Sequence, residues 1–399
     1  MWTTLLDKML THMVQVGTLR LTLPDGTHRR YGSGAPEVGV TLHDRALVRK
    51  LILNPYLAVG EGYMDEQLTI EGDDLRGFFA LIVPNANAAG EAWFQRPFER
   101  LRALRRWVRQ RNSVGRARAN VAHHYDLSPE LYDMFLDKDR QYSCAYFPRD
   151  DMSLEEAQAA KKQHIAAKLL IEPGMRVLDV GCGWGGMGLT LARDYGAQVV
   201  GVTLSEEQYS FAKKRVKAAG LEQQVDIRQT DYRLLNEQFD RIVSVGMFEH
   251  VGVPQYHAFF RFVKDSLTDD GLALIHTIGH TGPPNDGDPW TGKYIFPGGY
   301  APTLGEIMKA VDAQALVTSD IESWRLHYAH TLDAWYERFM ANESKARALY
   351  DARFVRMWRY YLMSSQAVFR PGGRVLVYQL QLGKRLDAAP ITRDYLCGT

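Results

Sequence analysis

The ten residues VLDVGCGWGG (177–186) decide how this chain is read. Val177, Leu178 and Val180 read as a buried strand interrupted by Asp179. The chain then enters a turn crowded by Gly181, Gly183, Gly185 and Gly186, and a helix opens behind it. Glycines at such a turn let a ligand approach the backbone closely. A dinucleotide site would read GxGxxG. Counted from Gly181 the stretch is GCGWGG, and Gly186 reaches the sixth place only because glycine is abundant here. A P-loop fits no better.

Outward from this turn, strands alternate with helices. AQVVGVTLS (197–205), VDIRQTDY (225–232), FDRIVSVGMFEH (239–250) and GLALIHTIG (271–279) supply four more strands, each after a helical stretch. That order predicts a mostly parallel sheet covered on both faces, an α/β fold. LVTSDIESWRLH (316–327) and GRVLVYQLQLGK (373–384) are placed to close the sheet, and a helical block (330–369) lies between them. Near the N-terminus, GTLRLTLPDGTHRRYG (17–32) alternates Leu19, Leu21 and Leu23 with polar residues and turns at Pro24-Asp25-Gly26, a hairpin signal. With the helical ALVRKLILNPYLAVGEGYMD (46–65) it predicts a smaller α+β domain over 1–95. A linker over 96–119 and a catalytic-size domain over 120–399 complete the division. The stretch 96–120 holds nine arginines and one acid, Glu99. Phe98, Leu101, Leu104 and Val108 recur at helical steps, with Arg102, Arg105, Arg106 and Arg109 largely elsewhere on the wheel. This suits either a solvated linker helix or a basic amphipathic helix for an anionic membrane surface.

The bulk numbers exclude several classes. Lys+Arg 48 against Asp+Glu 47 leaves no global field for a polyanion, and no nucleic-acid recognition motif accompanies the basic stretch. Cys144, Cys182 and Cys397 show no CxxC spacing, which argues against a zinc site or a disulfide scaffold and suits a reducing cytoplasm. His123 and His124 are adjacent and lack a third ligand at zinc spacing. The first residues, MWTTLLDKMLTHMV, break their apolar run at Asp7 and Lys8, and no apolar run is long enough for a bilayer span.

The form Asp-x-Gly-x-Gly at this junction resembles motif I of class I S-adenosylmethionine (SAM) methyltransferases, with a Rossmann-like, mostly parallel seven-stranded sheet. Many such enzymes end the second strand in an acid; here Thr203 and Leu204 stand there. The wider set VAHHYDLSPELYDMFLDKDRQYSCAYF (121–147), VLDVGCGWGG, GVTLSEEQ (201–208), FEHVG (248–252), HTIG (276–279), KYIFPGGYAPTL (293–304) and WYERF (335–339) resembles cyclopropane fatty acid synthases and mycolic acid cyclopropane synthases. The N-terminal region is similar in kind to the lipid-binding domain of the phospholipid-acting branch. The resemblance implies SAM held by Tyr142, Ser143, Asp179, Gly181, Gly183, Thr203, Leu204, Gln208, Asp231 and Tyr232. Gln208 would take the ribose, Asp231 and Tyr232 the adenine, and Tyr142 and Ser143 the carboxylate end. It also implies bicarbonate as the base, with Cys144, Glu249, His276, the backbone of Ile278 and Tyr328 around it.

The implied substrate is a cis double bond in a phospholipid acyl chain. Methyl transfer to an alkene leaves a carbocation, which must be kept from water and lose a proton as the ring closes, so a lipophilic pocket and a positioned base are required. Cys144 would then be neither nucleophile nor metal ligand. Trp358, Tyr360, Tyr361 and Phe369 suit an acyl tunnel or a plain core stripe equally. The expected setting is the cytoplasm and the inner membrane face, and a homodimer is allowed. Rival readings are an enzyme giving a methyl-branched chain, a small-amine methyltransferase, and a lipid-binding protein with a vestigial SAM fold.

Overall fold

The computed structural model describes residues 1–89, 128–285 and 287–396. The arginine-rich stretch, His123, His124 and Cys397 therefore lie outside the described residues. The chain divides into two compact units. One gathers residues 1–106, 286–295 and 332–374; the other takes the rest.

In the first unit, β1 (Gly17–Thr22), β2 (His28–Ser33), β3 (Glu37–Leu42) and β4 (Leu68–Ile70) form a sheet in the order β2-β1-β3-β4. β1 and β2 make the hairpin read from the alternating leucines, with Gly17 opposite Ser33 and Thr22 opposite His28. The Leu23 N–H closes the turn on the Thr27 carbonyl at 2.9 Å. Helices Trp2–Met13, Arg45–Leu53, Pro55–Met64 and Leu75–Ala89 belong to the same unit.

Two late stretches of chain complete this core, so the division at residue 120 does not follow the compact units. Trp290 sits against Gly60, where a Cβ would come within 2.4 Å of its ring, and its indole N–H donates to Met64 Sδ. Tyr360, on helix Ala352–Val368, packs against Trp290, Phe79 and Tyr63 at 4.6, 5.2 and 6.0 Å between ring centroids. Asp333 accepts from Arg76 and Gln366, both at 2.9 Å, and from Arg370. The physical reason is that the apolar face of 352–368 finds its aromatic counterpart on the helices of 55–89, and sequence distance does not limit such a match. Trp358, Tyr360, Tyr361 and Phe369 are all buried in this unit.

The second unit is a seven-stranded sheet. Its strands are β5 (Arg176–Val180), β6 (Gln198–Thr203), β7 (Val225–Gln229), β8 (Phe239–Val245), β9 (Leu267–His280), β10 (Val317–Trp324) and β11 (Val375–Gly383). The order is β10-β11-β9-β8-β5-β6-β7. β5 to β9 pair in parallel, and β11 runs antiparallel to both its neighbours. Connections leave β5 in one direction towards β6 and return to its other side at β8. A crevice opens at the carboxyl ends where that order switches. The sheet is the class I methyltransferase arrangement expected from the sequence.

The glycine turn between β5 and helix Gly186–Tyr195 lies at that crevice. Gly181, Gly183 and Gly185 hold φ of +80°, +54° and +82°, a region side chains with a Cβ enter at a cost. Among the described residues no helix is long and apolar enough to cross a membrane.

A fragment ending at residue 95 lacks Tyr360, which packs against both Tyr63 and Phe79. It is expected to show no cooperative melt by circular dichroism; a folded fragment with a sharp transition would contradict the shared core.

Candidate active site

A pocket at the carboxyl ends of β5, β6 and β8 gathers Tyr142, Ser143, Asp179, Gly181, Gly183, Thr203, Leu204, Gln208, Asp231 and Tyr232 in its wall. All ten residues expected to hold the cofactor thus line one cavity. Each arrives by a local rule. Thr203 ends β6, and Ser205 caps the helix Glu206–Ala218 that carries Gln208. The Thr203 hydroxyl donates to Gln208 Oε1 at 2.8 Å, which leaves the amide N–H groups of Gln208 as donors. Asp231 follows β7 and lines the pocket. Its carboxylate is engaged by Arg233, through Nε at 2.8 Å and Nη2 at 2.6 Å, inside one short turn. Tyr232 packs edge-on against Phe259 and Phe262.

The loop carrying Tyr142 and Ser143 has no regular structure of its own and is held from helix Leu154–Lys168. Gln158 donates from Nε2 to the carbonyls of Gln141 (3.2 Å) and Ser143 (3.0 Å). Lys161 donates to Gln141 Oε1 at 2.7 Å and Ser143 Oγ at 2.8 Å. Lys162 binds Asp139 at 2.6 Å. Spacings of three and four residues put Gln158, Lys161 and Lys162 along one side of the helix. The loop also lies against the glycine turn, since a Cβ on Gly186 would come within 2.4 Å of the Gln141 and Asp139 side chains.

The cavity fits an adenosyl sulfonium amino acid. Among the described residues, Gly183 has open space where a Cβ would stand, and the buried Asp179 Oδ2 has no hydrogen-bond partner. Burial pushes the Asp179 carboxyl up to about 7, against the opposing pull of the Lys161 charge.

The five residues expected around the base are brought together in part. Glu249 follows β8 and accepts the Ile278 N–H on Oε1 at 2.7 Å, while its Oε2 is buried without a hydrogen-bond partner among the described residues. Burial drives the Glu249 carboxyl up to about 7. His276 stands on β9, meets Gln379 Nε2 through Nδ1 at 3.1 Å, and packs edge-on against Trp324 at 5.1 Å. Burial, helped by the Lys161 charge, lowers its pKa to about 3, so the ring is neutral. Cys144 is buried, and burial pushes its thiol well up, so it stays protonated. The next residue, Ala145, donates its N–H to Thr331 Oγ1 at 3.0 Å, one helical turn from Tyr328. Among the described residues no hydrogen bond joins Cys144 or Glu249 directly to His276. Between Cys144 and His276 the link is aromatic: Tyr146, two residues after Cys144, stacks on Trp324 at 4.8 Å.

Sequence reading missed several wall residues, among them Arg140, Gln141, Trp184 and His250. His250 was within sight, beside Glu249 in FEHVG; burial lowers its pKa to about 4. Lys161 gave no signal, because a lysine on a helix reads as solvated.

The family model for mycolic acid cyclopropane synthetase matches residues 112–380, and one for a domain of unknown function matches 5–91. The chain is 40% identical over 339 residues to the cyclopropane-fatty-acyl-phospholipid synthase of Escherichia coli (strain K12), covering 85% of this chain and 86% of that one. It is 37% identical over 267 residues to cyclopropane mycolic acid synthase 1 of Mycobacterium tuberculosis, covering 64% of this chain and 93% of that one. Among solved structures, a mycolic acid cyclopropane synthase complexed with SAH and CTAB aligns at TM-score 0.63 and 36% identity, over 66% of this chain and 97% of that one.

The Glu249 geometry has a consequence for stability. A carboxyl raised in the folded state contributes stability that is complete below its unfolded pKa, near 4.5, and is lost as pH rises through about 7. Glu249→Gln removes this loss. The variant should therefore melt higher than the native chain at pH 8, by an amount on the order of 2–3 kcal/mol, and the gap should shrink by pH 5. Parallel melts at the two pH values check the sign.

Proposed function

Because this chain belongs to the mycolic acid cyclopropane synthetase family and is a SAM-dependent methyltransferase, we propose that it transfers a methylene group from SAM to the cis double bond of an unsaturated phospholipid acyl chain, with bicarbonate as the base. The observation that carries the reading is the Glu249 carboxyl: buried, fixed by the Ile278 N–H on one oxygen and, among the described residues, without a hydrogen-bond partner on the other. A buried, half-satisfied carboxyl is costly unless a ligand completes it.

The residues fit the two groups in distinct ways. The Gly181 and Gly183 backbone, the Gln208 amide, Tyr232 and the Tyr142–Ser143 loop would hold SAM, which supplies the electrophilic methyl group. Glu249, His276, Cys144, Tyr328 and the Ile278 backbone would hold bicarbonate, which accepts the proton lost on ring closure. The chain's own part is to keep the site dry and free of nucleophiles. The Cys144 thiol, held protonated by burial, does not compete with the alkene for the methyl group. His276, kept neutral, adds no positive charge beside a developing cation. The Trp324 and Tyr146 rings add a negative π-face nearby. Glu249 Oε2 accepts the hydrogen bond that orients the base.

Docking on anionic membrane belongs to the same reading. On helix Arg45–Leu53, Arg45, Arg49 and Lys50 stand exposed beside exposed Leu53 and Tyr56. Such a mixed basic and apolar face suits a lipid surface. The arginines of 96–118 would extend that attraction.

Expression in cells that lack the activity should add one CH2 to unsaturated phospholipid chains by mass spectrometry, with cyclopropane protons by NMR; a methyl branch instead would favour the rival product. Glu249→Gln should keep SAM binding while turnover falls about 10²- to 10⁴-fold, and decarbonation should slow the native enzyme more than the variant. Full rate in both, without bicarbonate, would refute the base assignment.

Binding to anionic vesicles should weaken with salt, since screening acts within about 8 Å. Replacing Arg102, Arg105, Arg106 and Arg109 by Gln should weaken it further, by on the order of 1 kcal/mol each. Co-sedimentation that ignores all four changes would leave 96–118 a plain linker.

A further inference from the structure

Two lysines of one helix are fully buried, and the structure treats them differently. On Leu154–Lys168, Lys161 and Lys168 are each 0% exposed and share a face, seven residues apart. Lys168 has its counter-ions: Glu322 at 2.5 Å and Asp320 at 3.3 Å. Lys161 pairs with no carboxylate among the described residues. Its hydrogen bonds go to two neutral acceptors, Gln141 Oε1 and Ser143 Oγ. The carboxylates of Asp137, Asp139 and Asp179 act on it through space, none of them hydrogen-bonded to it among the described residues, and a buried ammonium with no bonded anion is expensive unless a ligand supplies the charge.

Ser143 shows where that anion would sit. A hydroxyl has one proton and two lone pairs. One lone pair takes the Lys161 N–H, so the Ser143 proton is turned away from the lysine. No acceptor among the described residues takes it, and Ser143 lines the pocket. The Ser143 carbonyl is tied to Gln158, so the residue cannot swing aside.

We infer that Lys161 is the counter-charge for the carboxylate of the bound adenosyl amino acid, acting through the Ser143 hydroxyl, and that this relay makes the pocket selective for ligands that carry the carboxylate. The inference rests on the SAM reading above. Lys161 is a positioning residue: the hydroxyl touches the ligand, and the ammonium polarises the hydroxyl and neutralises the charge behind it. Its pKa, lowered by burial to about 7 with Asp137 and Asp139 only partly offsetting this, is what a lysine awaiting an anion should show.

Calorimetric titration with two ligands tests it. S-adenosylhomocysteine carries the carboxylate; 5′-methylthioadenosine keeps adenine, ribose and sulfur but lacks the amino acid. If the native enzyme binds neither, the SAM reading fails and takes this inference with it. If it binds both, Lys161→Met should weaken S-adenosylhomocysteine about 10- to 100-fold and leave methylthioadenosine unchanged. Ser143→Ala should show the same selective loss, and the double variant should lose little more than either alone. In turnover, KM for SAM should rise with kcat retained at saturation. Should Lys161→Met not fold, Lys161→Gln removes the charge and keeps a donor to Ser143. Equal weakening of both ligands, or no weakening of either, would overturn the inference.

Discussion

The pocket exists because four positions in one turn have no side chain. Gly181, Gly183 and Gly185 hold left-handed backbone. A Cβ on Gly181 would come within 2.8 Å of Met247, and one on Gly186 within 2.4 Å of Asp139 and Gln141. The turn therefore does two jobs. It opens the backbone towards a ligand, and it lets the loop of 137–145 lie against the start of the following helix. That loop carries Tyr142, Ser143 and Cys144, so one wall of the cavity depends on missing side chains in another.

Desolvation is the second thread. Asp179, Glu249, His250 and His276 are all moved towards their neutral forms by burial, and the Cys144 thiol is held protonated in the same way. On the proposed reading the site shelters a carbocation and has reason to be dry, and dryness imposes these protonation states without further design. The cost appears as buried oxygens, Asp179 Oδ2 and Glu249 Oε2, without a hydrogen-bond partner among the described residues. Stability is given up at the positions where ligands would restore it.

The first unit illustrates a different constraint. Its sheet and hairpin are local, yet its core is finished by Trp290, Asp333 and Tyr360, far along the chain. A helix with an aromatic face must bury it against whatever matching face the fold brings near. Tyr360 accordingly belongs to a core shared with Tyr63 and Phe79, and the open choice between tunnel and core stripe goes to the core for that ring.

What the sequence determined by itself was whatever depends on neighbours along the chain. The alternation of strands and helices, the glycine turn and the hairpin at Pro24-Asp25-Gly26 follow from local periodicity and backbone freedom, and the structure has them. The ten pocket residues were legible through the resemblance of their short motifs to a known family. Tertiary structure alone decided the partners. It set Lys168 against two carboxylates and left Lys161 with two neutral oxygens, although both are lysines on one face of one helix. It turned the Gln208 amide by fixing its oxygen to Thr203, and it paired Asp231 with Arg233. It also drew 332–374 into the first unit. Burial and charge pairing are sums over everything within a few ångströms in space, and residues close in space are mostly distant in sequence, so no local pattern could have contained them.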